Sequence, residues 1–158
     1  MECFPVCEVL EEVEIAASMA AQARGLRLTV TTAEPSIVVE ADRQILAAAI
    51  ANLVQNALKF TQTGTTVRLR AVTTTSRVLI EVEDSCGGLS PEKQADLLEP
   101  FVQKGRDRTG LGLGLSIVMK AVKTMAGELR IHDLPDKGCV FTIDLPRKRP
   151  PQTFVRAN

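Results

Sequence analysis

Tryptophan and tyrosine are absent from these 158 residues, and five phenylalanines leave aromatics at 3%. A chain so poor in rings offers no stacking platform for bases, which argues against single-stranded nucleic-acid binding. An excess of one charge is missing too: Lys+Arg and Asp+Glu each number 19, so the formal net charge is zero. No global basic field exists to hold a nucleic-acid backbone. No apolar run approaches the roughly 18 residues of a membrane span, so no membrane contact is expected. The opening MECFPVCEVLEEVE has neither a basic n-region nor a long apolar core, and is not expected to be a signal peptide. Cysteine is limited to Cys3, Cys7, Cys86 and Cys139, which without secretory context read as reduced thiols of a cytoplasmic protein. Cys3 and Cys7 lack a second close pair that would complete a zinc site.

The rest is ordinary globular composition, 45% apolar and 24% charged. At about 150 residues per domain this is one domain, and one of that size buries roughly 70% of its unfolded surface. Apolar residues recur at helical spacing over 8–24, with Gly25 as the stop. Short strands are predicted at 26–30 and 37–39. A long helix over 42–60 opens on Asp42 as N-cap. Residues 67–72 and 77–83 read as adjacent strands. Ser90-Pro91-Glu92 signals a short helix ending near Pro100. Residues 101–115 are polar, then glycine-rich. A helix over 115–126 follows, closed by Gly127, then strands at 128–132 and 139–145. The tail PRKRPPQTFVRAN has linker composition. This order predicts an α+β fold: a two-layer sandwich with one mixed, mostly antiparallel sheet covered on one face by three helices.

Three stretches carry chemistry. In AIANLVQNALKFT, Asn52, Asn56 and Lys59 fall within about 60° of one another on the helix, beside an apolar stripe. Amide oxygens suit Mg²⁺, and an ammonium suits phosphate; a solvated helix face is the plainer account. In VLIEVEDSCGG, period two puts Asp84 on the same side as Val78, Ile80 and Val82. A carboxylate on an apolar face needs a donor, and an adenine amino group would be one; a turn cap is the plainer account. In EPFVQKGRDRTGLGLGLSIV, Gly110, Gly112 and Gly114 lead into a helix whose bare N–H groups would cradle phosphate. Lys104, Arg106 and Arg108 stand just before it. The run fails as a Rossmann fingerprint and as a P-loop, and no eukaryotic-type kinase motif occurs.

In this order the stretches resemble the ATP-binding catalytic domain of sensor histidine kinases, in the superfamily of gyrase, the large heat-shock chaperones and MutL. NLVQNALKFT is similar to the family's N box, EDSCGG to G1, EPFVQKG to the F box, GLGLGLSIV to G2 and KGCVFTIDLP to G3. The resemblance covers about 8–146, taken as the ATP-binding catalytic domain, with 147–158 as linker. It implies ATP and Mg²⁺ as cofactors and a two-layer α/β sandwich. It implies that Asn56 holds Mg²⁺ and that Asn52 and Lys59 serve as catalytic residues near the phosphates. Asp84 would accept from the adenine amino group, with Gly88 and Cys139 beside the base. Gly110, Leu111, Gly112, Leu113, Gly114 and Leu115 would wrap the phosphates under a lid at 102–109, anchored by Phe101 and carrying Lys104, Arg106 and Arg108. The family usually has glycine where Cys86 stands and threonine where Cys139 stands, and both changes bear on the adenine pocket.

The implied activity is transfer of the γ-phosphoryl group to a histidine on a separate helical dimerisation and phosphoacceptor domain, and indirectly to a response-regulator receiver. The one histidine, His132, falls on the polar face of a strand, so the acceptor is expected on another segment. Two alternatives share the boxes: a free-standing serine kinase of the anti-sigma type and a non-catalytic interaction module. A gyrase-like ATPase fits less well, because the position four before Asn56 is Asn52, an amide that cannot act as a base.

Overall fold

The computed structural model describes residues 1–32, 34, 36–61, 63–85, 109–134 and 138–148. Helix α1, Val6–Ala23, buries Val6, Val9, Leu10, Val13, Ala17 and Ala21, the stripe its spacing predicts. It closes as expected at Gly25: the Gly25 N–H donates to Gln22 and the Leu26 N–H to Ala21. Helix α2, Arg43–Phe60, starts where Asp42 accepts the Ile45 N–H at 3.1 Å. Its buried side includes Leu46, Ala49, Ile50, Leu53 and Ala57.

Strands β1 (Glu2–Pro5), β2 (Arg27–Thr32), β3 (Val38–Ala41), β4 (Thr66–Thr73), β5 (Arg77–Glu83), β6 (Glu128–Leu134) and β7 (Gly138–Pro146) complete the described elements with helix α3, Thr109–Thr124. The main sheet has order β2-β4-β5-β7-β6; β2 runs parallel to β4 and every other pair is antiparallel. Period two divides its faces. Val67, Leu69, Val78, Ile80, Val82, Phe141, Ile143 and Leu145 are buried toward the helices. Register stacks Leu69 on Val82, Ile80 on Ile143 and Val82 on Phe141 across three strands. Helix α2 packs on β4 and β5, with α1 and α3 on either side of it. The described residues thus form the expected mixed sheet with three helices, and the core lies between those layers.

The opposite face carries ion pairs. Arg70 bonds Glu81 at 2.7 Å and Glu83 at 2.9 Å. Arg77 and Arg130 both reach the Asp144 carboxylate, each at 2.6 Å. Burial pushes the Asp144 carboxyl up, but hydrogen bonds from Arg130 and Arg77 outweigh it and hold the group below its ordinary value.

Three departures from the sequence reading have physical causes. First, the strand predicted at 37–39 does not join the main sheet; β3 pairs antiparallel with β1 in a separate two-stranded sheet. Four residues, Glu2–Pro5, are too few for periodicity to reveal a strand. Second, α3 begins at Thr109 rather than 115. Glycine costs about 1 kcal/mol per helical position, so propensity argues for a later start. Propensity is a weak prior that is overridden here, and the buried stripe Leu115, Val118 and Val122 anchors the helix on the core. Third, α3 stops at Thr124, and the left-handed residue is Ala126, φ +59°, not Gly127. Gly127 answers another need: a Cβ there would stand 2.6 Å from the Asp144 carbonyl oxygen and from Leu145 Cδ2.

Candidate functional site

At the end of β5, Asp84 continues the inward stripe of Val78, Ile80 and Val82, and is 5% exposed. A buried carboxylate persists only with donors. Strand β7 supplies them: the Cys139 N–H donates to Asp84 Oδ1 at 2.9 Å, and Cys139 Sγ lies 3.5 Å from Oδ2. The Asp84 N–H donates in turn to the Cys139 carbonyl at 3.0 Å. This approach requires glycine at 138. A Cβ there would overlap the Asp84 carbonyl and stand 2.8 Å from Oδ1. Cys139 itself is 1% exposed.

The next residue ties β5 to α2. The Ser85 N–H donates to Thr61 Oγ1 at 3.1 Å, and Ser85 Oγ donates to the Thr66 carbonyl at 3.2 Å. Thr61 follows the last turn of α2 and is 2% exposed. One turn and a half earlier stands Asn56, and one further turn back Asn52, both half-buried. Lys59 is exposed, its ammonium 5.5 Å from the Phe60 ring centroid.

Asn56 Nδ2 is buried and has no hydrogen-bond partner among the described residues. It faces the glycine run: a Cβ on Gly114 would stand 3.6 Å from that nitrogen. An orphaned buried amide is costly in the free protein. A half-turn of the amide exchanges Nδ2 for Oδ1. An oxygen so placed is the hard ligand that Mg²⁺ takes. The residues present therefore fit a magnesium ion beside Asn56.

The structure thus brings Asn56, Gly114, Asp84 and Cys139 to one end of the sandwich, linked through Thr61 and Ser85. The backbone of Gly110, Leu111, Gly112, Leu113, Gly114 and Leu115 forms the opening turns of α3 rather than a loop before it. Gly88, Lys104, Arg106 and Arg108 lie outside the described residues, as do Cys86, Phe101, the lid at 102–109 and the short helix expected to end near Pro100. His132 is exposed on β6, opposite Val140, on the face away from the helices. Sequence reasoning missed Thr61, Ser85 and Gly138. Gly138 carried a faint signal, a glycine directly before Cys139; Thr61 closed the stretch similar to the N box but showed no role of its own, since its partner lies 24 residues away.

Residues 41–149 match the family model described as histidine kinase-, DNA gyrase B- and HSP90-like ATPase. The sensor protein TorS of Escherichia coli K12 is 43% identical over 97 residues, which are 61% of this chain and 10% of TorS. The catalytic domain of histidine kinase ThkA, free of nucleotide, superposes with TM-score 0.81 and 26% identity over 95% of this chain and 100% of that domain. Full-length ShkA in complex with AMPPNP superposes with TM-score 0.82 and 28% identity, over 95% of this chain and 32% of ShkA. Among curated relatives the chain spans between 10% and 29% of their length. No described helix is long and apolar enough to cross a membrane.

Proposed function

The chain belongs to the histidine kinase-, DNA gyrase B- and HSP90-like ATPase family, and on that premise we propose that it binds Mg-ATP and donates the γ-phosphoryl group to a histidine on a separate helical dimerisation and phosphoacceptor domain. A response-regulator receiver would take the phosphoryl group from there. The work is placed in the cytoplasm, in a unit over 8–146 with 147–158 as linker. The observation that carries the reading is the buried Asn56 amide, unpartnered among the described residues and facing the glycine run of α3.

In this reading Asp84, oriented by the Cys139 N–H, accepts from the adenine amino group. Gly88 and Cys139 leave room beside the base. The N–H groups of α3's first turn, from Gly110 onward, face the phosphates. Asn52 and Lys59 position the terminal phosphate, and Lys104, Arg106 and Arg108 add positive charge. Asn56 presents its oxygen to Mg²⁺, which would neutralise phosphate charge as the transfer proceeds. The chain then positions donor and metal while the partner domain supplies an in-line nucleophile. His132 serves as no acceptor, for it lies on the opposite sheet face.

Calorimetry and phosphoryl labelling test this together. Wild-type protein is expected to bind Mg-ADP, and Asp84→Asn to weaken binding by roughly 1–3 kcal/mol, since an amide offers a donor to a donor. With labelled ATP and an added histidine-bearing helical domain, acid-labile label is expected on that domain and none on this chain. Acid-stable phosphoserine on a partner would favour the anti-sigma type of kinase instead. No nucleotide binding by the wild type would leave a non-catalytic module.

A further inference from the structure

We infer that Thr61 is a positioning residue of the nucleotide site: its hydroxyl holds the turn after β5, and through that turn the Asp84 carboxylate, at the angle the base requires. The inference rests on the ATP-binding reading above. Thr61 is 2% exposed, and valine would fill the same volume without a polar atom to satisfy. A buried hydroxyl at a helix end commonly turns back to its own helix. This one leaves it. Its oxygen accepts the Ser85 N–H at 3.1 Å, the amide directly after Asp84. Meanwhile the Thr61 N–H stays in α2, donating to Ala57 at 2.9 Å. The residue is therefore a rivet, fixed by its backbone to the helix of Asn56 and by its side chain to the strand of Asp84.

Asp84 is clamped from the other side by β7, through Cys139 and the close approach of Gly138. Two clamps on a strand end, one from α2 and one from β7, define the direction of a side chain better than one. Without Thr61 Oγ1, the Ser85 N–H loses that acceptor, and the peptide between Asp84 and Ser85 is held less firmly, by the Ser85 Oγ bond to Thr66 and the Asp84 bonds to Cys139. The carboxylate would then keep its burial but lose its aim. Discrimination between bases should suffer more than affinity for phosphate, because an amino group is recognised only by an acceptor in the right place. Rivet and metal ligand share one helix, so the base end and the phosphate end are set by the same rigid element.

The experiment compares ADP and GDP affinity, by calorimetry with Mg²⁺, in wild type, Thr61→Val and Thr61→Ser. The ADP-over-GDP preference is expected to fall about fivefold to tenfold in Thr61→Val, the size of one hydrogen bond, and to be retained in Thr61→Ser. A folded Thr61→Val with the wild-type preference, whatever its melting temperature, overturns the inference; so does a Thr61→Ser that loses as much as the valine variant. Should Thr61→Val fail to fold, amide exchange in the wild type decides. A Ser85 N–H that exchanges slowly, and more slowly with ADP, supports the rivet; an unprotected Ser85 N–H with ADP bound refutes it. Wild type that binds neither nucleotide removes the ATP-binding reading itself, a result separate from any effect of Thr61.

Discussion

Asn56 is poorly suited to stability, and the metal-binding role proposed for it would account for its place in the fold. Its Nδ2 is buried, without a partner among the described residues, and a Cβ on Gly114 would stand 3.6 Å from it. Leaving such a group unmet costs about 1–3 kcal/mol. Leucine has a similar volume and nothing to satisfy. Asn56→Leu is therefore expected to stabilise the nucleotide-free protein by about 1 kcal/mol, or roughly 2–4 °C in melting temperature at this size, while abolishing the response to Mg-ADP. Melting curves with and without Mg-ADP check both halves. A leucine variant that melts lower and still responds to Mg-ADP would mean the amide is satisfied and does not face a ligand. The position of this residue was legible: the Asn52, Asn56, Lys59 row stands out because packing alone does not select two amides and an ammonium. Asp84 was legible for a related reason, a charge at an apolar phase of period two. Cys139 became a neighbour of Asp84 in the reading only through the resemblance, since 55 residues separate them. Thr61 stayed silent, because a buried hydroxyl is recognised by its partner, and partners across 24 residues leave no mark in a periodic pattern.

Elements follow the same division between local and non-local causes. Helices α1 and α2 carry their own instructions, an apolar stripe with Gly25 at one end and Asp42 at the other start, and both formed as read. Strand β1 has no instruction of its own; it exists because β3 offers it an edge. The end of α3 is the informative case. The Gly127 N–H donates to Val122 and the Ala126 N–H to Lys123, a helix stop whose left-handed position is one residue before the glycine. Sequence reasoning gave the glycine the wrong job. Its absent side chain makes room for β7, and Ala126 bears the strain. Two neighbouring substitutions should then act in opposite senses. Ala126→Gly, at an exposed site with φ +59°, is expected to stabilise by about 1 kcal/mol. Gly127→Ala is expected to destabilise by about 1–3 kcal/mol, as overpacking against backbone does. Urea unfolding of both variants measures this. A destabilised Ala126→Gly would show that the turn is not left-handed at that residue in solution.

For the whole molecule, zero net charge hides an uneven arrangement. The helices and the inner sheet face hold the apolar core, and the outer sheet face carries a ladder of arginines and carboxylates with no described helix over it. Most such pairs are exposed enough to contribute little. The Glu8 and Glu12 pairs of Arg43, between α1 and α2, belong to that class. Asp144 differs. It is 8% exposed and has arginines from two neighbouring strands on its two oxygens. Its carboxyl, pushed up by burial but held down more strongly by Arg130 and Arg77, titrates below its unfolded value. A depressed acid stabilises the fold above the unfolded pKa of about 3.9, and that contribution disappears as pH falls through the lower folded pKa. Asp144→Asn has no such proton to gain. The variant is expected to be less stable than wild type by a constant amount from pH 7 to about pH 5. Below about pH 4 the gap should narrow, as the wild type loses what the variant never had. Urea midpoints at several acidic pH values trace the two curves. A gap that persists undiminished far below the unfolded pKa would mean that shape and packing at residue 144, not its charge, account for the loss.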